Sequence, residues 1–169
     1  MLFFNERTSP PSFTDPNWIK TTFGGFNRCI AIDATGSVIP NCTGYAWGRW
    51  LELLNVTDHN LYTGNGGSWY GHTSDGYQRG HTPKLGAVAC WSGGDGHVAI
   101  VEKIYADNSI DTTDSVYGGQ RFRRIHYTPS YTLSGYTFQG FIYPPDDISG
   151  ADAAILIAAD KKKKKVVIK

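Results

Sequence analysis

Apolar residues at Trp47, Trp50, Leu51 and Leu54 fall at i, i+3, i+4 and i+7, the spacing of one helical face. The spacing predicts a helix over 42–54. Asn41 supplies a side-chain oxygen to cap its start, and Asn55 is a natural stop. Gly44 and Gly48 each cost roughly 1 kcal/mol of helix propensity relative to Ala. Being four apart they share a face, which lets a sheet or another backbone approach closely.

After residue 84 the pattern becomes that of strands. Residues 85–91 (LGAVACW) and 97–105 (HVAIVEKIY) are joined by SGGDG, a hairpin connection, and 110–115 follows the turn ADNS. Residues 121–127 (RFRRIHY) and 136–143 (YTFQGFIY) make about five strands. One helix followed by an antiparallel meander predicts an α+β fold.

Residues 1–28 read as an irregular lead-in with one helical turn around 17–21, and 29–33 (CIAID) as a short strand or loop. Residues 56–83 are polar and glycine-rich with a short helix around 67–73, a composition suited to lining or covering something. Pro144 and Pro145 mark the expected end of a single domain over 1–145, followed by a low-complexity, lysine-rich tail over 146–169 expected to be disordered.

Net charge is +1, but the lysine run of the tail hides a weakly acidic body. That body lacks the basic face a nucleic acid requires, so no nucleic-acid partner is expected. No segment approaches the length of a membrane span, and MLFFNERTSPPSF has neither the basic nor the apolar region of a signal peptide. The protein is expected to be made in the cytoplasm of its host cell, as a monomer, and to need release in order to act outside it. Cys29, Cys42 and Cys90 are an odd number at spacings unlike those of metal ligands or a disulfide framework, so at least one thiol is free.

Cys42 stands where loop becomes helix. Most cysteines are packed thiols, but unpaired amides and the dipole at a helix N-terminus favour the thiolate and can hold the oxyanion formed when a carbonyl is attacked. Such a nucleophile wants a base in reach. His97 opens an apolar strand directly after GGDG, which puts its ring at the sheet rim, whereas His59, His72, His81 and His126 lie in polar surroundings. A third group should orient the imidazole. Asp114, near the end of the following strand, shares a face with His97 in any antiparallel register of odd sum, with Asp111 and Asp107 as rivals.

In order and spacing, NCTGYAWGR, GAVACWSGGDGHVAIVE and DTTDSVYGG resemble the motifs of the CHAP domain, the cysteine, histidine-dependent amidohydrolase/peptidase module of phage endolysins and bacterial wall hydrolases. The resemblance covers roughly residues 24–144. It implies a papain-like fold with Cys42 as nucleophile and His97 as base. Asp114 falls where the family carries an acid, most often Glu, and Val116 where some members carry an additional Asn. Asn41 resembles an amide side chain often found before the cysteine, expected to help the Cys42 backbone N–H hold the oxyanion, although it also serves as a helix cap.

The implied activity is hydrolysis of an amide in bacterial peptidoglycan, as an N-acetylmuramoyl-L-alanine amidase or an endopeptidase, by a phage lysin released at lysis or carried in a virion. Trp69, Tyr70 and Trp91 are candidates for lining the substrate groove. The loop 33–40 offers one carboxylate, too few for calcium, so neither metal nor cofactor is expected. Expected partners are peptidoglycan, anionic wall polymers through the lysine tail, and a separate wall-binding domain. Three rivals stand beside this reading: a zinc hydrolase using His72, Asp75 and His97, a non-catalytic wall-binding or virion module with a packed Cys42, and a papain-like cysteine enzyme on another amide substrate.

Overall fold

A computed structural model describes residues 4–12, 14–19 and 36–145. The expectations for 29–33, the first three residues of the loop 33–40 and the lysine tail lie outside these residues.

The helix, α1, spans Cys42–Leu54 and is capped at both ends by the asparagines that bound it in the sequence. Asn41 is extended, and its Oδ1 accepts from the Thr43 N–H at 2.9 Å, the Gly44 N–H at 3.1 Å and the Thr43 hydroxyl at 2.6 Å. Asn55 takes the left-handed conformation, φ 51°, and closes the last turn through its N–H. The lead-in packs tightly on this helix. Its 3-10 turn, Pro16–Trp18, buries Trp18 completely.

The strands are β1 (Arg79–Gly80), β2 (Val88–Ser92), β3 (His97–Ile104), β4 (Ile110–Asp114), β5 (Arg123–Tyr127) and β6 (Thr137–Ile142), in the order β1-β6-β2-β3-β4-β5. All pairings are antiparallel, and the fold is α+β. Two features differ from the sequence expectation. The meander ends at β5, because β6 crosses back to pair with β2 on the far side. A sixth strand, β1, is only two residues long and too short to show any periodicity.

Both faces of the central strands are covered. Val88, Cys90, Val98 and Ile100 face the helix with Trp18, Trp47, Trp50 and Leu51. Ala89, Trp91, Ala99 and Val101 face a second core with Tyr127, Tyr131 and Phe141. Burial on both sides is why VACW and HVAIV read as unbroken apolar runs.

The glycines of α1 do permit close approach, but the neighbours come from the lead-in and the loop before the helix. A Cβ on Gly44 would lie 2.3 Å from the Val38 carbonyl oxygen, and one on Gly48 2.5 Å from that of Asn17. Their loss of helix propensity is thus offset by packing that no larger residue allows.

One buried ion pair fixes α1 against the sheet. Arg49 donates from Nε and Nη2 to the two oxygens of Glu102, each at 2.9 Å, and Glu102 is 1% exposed. Thr113 of β4 and the backbone N–H of Arg7 donate to the same carboxylate. Glu102 is also the extra residue of a bulge, since Val101 faces Thr112 and Lys103 faces Asp111. Removing one member of such a pair leaves a buried charge unpartnered, so Glu102→Ala is expected to cost about 3–5 kcal/mol in denaturant unfolding. A loss below about 1 kcal/mol would contradict this account of how the helix is held.

Candidate active site

Two elements meet at the rim of the sheet. The N-terminus of α1 presents Cys42, and the first residue of β3 presents His97. The bonds of the Asn41 cap go to the N–H groups of Thr43 and Gly44, not to that of Cys42. Asn41 is tied to the end of β4 as well, because its backbone N–H donates to the Ser115 hydroxyl at 3.1 Å.

The β2–β3 turn delivers His97 by backbone contact. Gly96 has φ +76°, and a Cβ there would sit 1.9 Å from the Gly67 nitrogen. Gly67 donates its N–H to the Asp95 carbonyl at 2.9 Å, and the Asn65 amide donates to the Asp95 carboxylate at 2.7 Å. The segment 65–67 and the turn before His97 are therefore clasped together, and only glycine fits at the centre.

The register brings Asp114 to His97. Ile100 faces Thr113 and Val101 faces Thr112, an odd sum, so Asp114 shares a face with Ala99 and hence with His97. Past the bulge at Glu102 the sum becomes even. His97 Nε2–H donates to Asp114 Oδ2 at 2.6 Å, and Asp114 is fully buried. That bond commits Nε2, leaving Nδ1 as the ring nitrogen for Cys42. Burial alone would lower the pKa of His97, but the Asp114 carboxylate and the Cys42 sulfur outweigh it and raise it to about 9. Near neutral pH His97 is therefore an imidazolium beside the sulfur, a standing acid rather than an idle base.

Neither rival carboxylate competes. Asp111 sits on the opposite face of β4 from Asp114 and is taken by His126, Tyr105 and Arg124. Asp107 belongs to a turn and accepts from Ser109. Arg123 is a member of the site that sequence reading missed. It lies directly opposite Asp114 on β5 and donates from Nε to Oδ1 at 2.7 Å and from Nη2 to Oδ2 at 2.6 Å. Counting register across β5 would have exposed it, had the pairing of that strand been known.

A cavity of about 440 Å³ opens over these groups, lined by Asn41, Cys42, His97, Asn65, Asp95, Val116, Tyr117 and Tyr136 among others. Trp69 and Trp91, expected to line a groove, do not reach it. Both are fully buried, Trp69 donating to the Gly64 carbonyl at 2.9 Å and Trp91 to that of Tyr131 at 2.7 Å. Tyr70 packs instead against Gly140 of β6. The aromatic residues at the cavity are Tyr117, 71% exposed, and Tyr136, 41% exposed.

The other histidines lie away from the Cys42–His97 pair: His126 is bonded to Asp111, and His81 lies 6.1 Å from the Tyr70 ring. His59 packs at a tilt with its ring 4.1 Å from that of Trp47, and burial lowers its pKa to about 4, so it is a neutral packing residue and not a solvated one. Its Nε2–H donates to the Trp47 carbonyl at 3.0 Å. His72 stacks on Tyr62, while Asp75 is paired with Arg79 at 2.6 Å. Among the described residues no three His, Cys, Asp or Glu side chains come together as metal ligands.

The family model of the CHAP domain matches residues 32–115. A protein described as a putative hydrolase, from Streptococcus mutans serotype c (strain ATCC 700610 / UA159), is 41% identical over 61 residues, 35% of this chain and 29% of that protein. Among solved structures, an N-acetylmuramoyl-L-alanine amidase from Staphylococcus aureus matches with a TM-score of 0.46 and 25% identity, over 68% of this chain and 34% of that one. The chain thus spans less than two thirds of the length of either relative.

The two described thiols differ in setting. Cys90 lies mid-strand, fully buried, where loss of solvation pushes its pKa up, whereas Cys42 is partly exposed at the cavity. Iodoacetamide at neutral pH is expected to modify Cys42 and spare Cys90 in the folded protein, as read by peptide mass spectrometry. Equal labelling of both, or none at Cys42, would contradict the placement.

Proposed function

We propose that this protein hydrolyses an amide bond of bacterial peptidoglycan with Cys42 as nucleophile. The observation that carries the reading is the meeting of Cys42 and His97 at one open cavity, with the buried Asp114 bonded to His97 behind it, in a chain whose residues 32–115 match the CHAP family model.

In the proposed cycle the Cys42 thiolate attacks the amide carbonyl, forming a C–S bond and placing the electron pair on oxygen. The Cys42 backbone N–H receives that oxyanion, with the Asn41 side chain beside it. Collapse breaks the C–N bond as the His97 imidazolium gives its proton to the departing amine. Neutral His97 then takes a proton from water, which attacks the thioester, and the C–S bond breaks to leave a carboxylic acid product and the thiolate–imidazolium pair with which the cycle began. Asp114 holds His97 in the tautomer with its proton on Nε2 throughout.

The bond cut is either the N-acetylmuramoyl–L-alanine amide or a peptide bond of the stem or cross-bridge. Tyr117 and Tyr136 are the groups we assign to substrate contact in place of the buried tryptophans, since exposed aromatic faces at a cavity mouth suit the apolar faces of sugar or peptide.

Turbidity of purified Gram-positive walls is expected to fall with the intact protein and to stay constant with Cys42→Ala, with the new chain ends identified by mass spectrometry. Clearing by the alanine variant would sink the cysteine mechanism, and no clearing of any wall type would sink the substrate. Separately, Tyr117→Ala is expected to raise KM several-fold on wall fragments with kcat nearly constant, the pattern of a group that binds without entering the chemistry. An unchanged KM would remove Tyr117 from the substrate contact.

A further inference from the structure

Asp114 is fully buried, yet it answers to two donors at once: His97 from one side and the two-pronged guanidinium of Arg123 from the other. Arg123 Nη2 and His97 Nε2 share the same oxygen, Oδ2, and lie 3.5 Å apart. The fork takes both carboxylate oxygens, so Asp114 has no rotational freedom left, and the short side chain of an aspartate is held at the one angle that meets the imidazole. Arg123 is only partly exposed and stands directly opposite Asp114 in the β4–β5 register, so its place is set by the sheet.

Resting on the cysteine reading, we infer that Arg123 is a positioning residue of the site: it clamps Asp114 against His97 and supplies the positive charge that balances this carboxylate within the Cys42–His97–Asp114 line. Two consequences separate this from a role in folding alone. The first is geometric, because without the fork Asp114 can swing and His97 loses its fixed tautomer. The second is electrostatic. A cation favours the deprotonated form of every acid near it, so removing Arg123 makes Cys42, His97 and Asp114 all hold their protons to higher pH. The charge of Arg123 is coupled to both Asp114 and Cys42, which extends its influence to the sulfur.

Among the described residues the titratable groups that face this line are Cys42 from α1, Asp114 from β4, Arg123 and Tyr127 from β5, Asp95 from the β2–β3 turn, Tyr117 after β4 and Tyr136 ahead of β6. Of these only Arg123 is a fixed cation. Arg124, its neighbour in sequence, points to the opposite face and pairs with Asp111 and Glu6, so it cannot substitute.

The test reads the sulfur directly and needs no knowledge of the substrate. The rate of Cys42 alkylation by iodoacetamide is measured against pH for the intact protein, Arg123→Gln and Arg123→Lys, with circular dichroism to establish folding. In the glutamine variant the rate at about pH 6 is expected to fall roughly tenfold while the high-pH plateau stays constant. The lysine variant, which keeps the charge, is expected to restore the acidic limb. With wall fragments the glutamine variant should lose kcat at constant KM. A folded glutamine variant with an unmoved alkylation profile overturns the proposal. Should the glutamine variant not fold, the lysine variant carries the test: it is expected to keep the acidic limb but lose kcat for want of the fork, and a wild-type kcat would overturn the clamp. If no wall is hydrolysed at all, the alkylation profile still decides the role of Arg123, so failure of the substrate assignment and failure of this inference remain distinguishable.

Discussion

The pair Arg49–Glu102 is the fastening on which the geometry of the molecule depends. It sits two helical turns from Cys42, about 10 Å along α1, and five residues from His97 along β3. Two elements that touch at only one point can pivot. Here the ion pair pins the far end of the contact, so the near end, where sulfur meets imidazole, has little play. The lead-in strengthens this by donating the Arg7 N–H to the same glutamate and seating Trp18 against the glycine face of the helix. A glutamate in a fully apolar environment would be costly, but its oxygens are met by Arg49, Thr113 and Arg7.

The bulge at Glu102 links this fastening to the chemistry. Because the extra residue is absorbed there, the register on the site side keeps the parity that puts Asp114 beside His97, while the turn side pairs in the other parity. Asp111 and Asp114, three apart on β4, lie on opposite faces and pair with different arginines, Arg124 and Arg123. Four side chains in the RFRRIHY and DTTD segments thereby form two separate charge clusters.

Features determined by residues near one another in the chain were legible. The helix, with Asn41 and Asn55 at its ends, needs only local chemistry, and so do the apolar runs of β2 and β3 and the turn that starts β3 at His97. The odd-sum argument for Asp114 was conditional, and the sheet supplied the condition. What the chain did not show depends on distant partners. The return of β6 to β2, the two-residue β1 and the burial of Trp69 and Trp91 follow from how the sheet closes, which no local pattern encodes. Arg123 escaped notice because an arginine on an outer strand reads as solvated until its cross-strand neighbour is known. His59 did so because its polar flanks, Asp58 and Asn60, conceal the tryptophan it rests on.

The clasp between segment 65–67 and the turn before His97 divides the cavity into two kinds of wall. One wall is main chain against main chain, where a Cβ on Gly96 would sit 1.9 Å from the Gly67 nitrogen and those on Gly66 and Gly67 would press at 3.3 Å on the backbone of His97 and Gly96. Facing it, beyond the reacting groups at the helix start, are the side chains of Val116, Tyr117 and Tyr136, carried on connections outside the strands. Variation in what such a cavity admits is therefore channelled to one bank: the histidine side is a fixed template, and diversification can proceed only through the loops that follow β4 and precede β6.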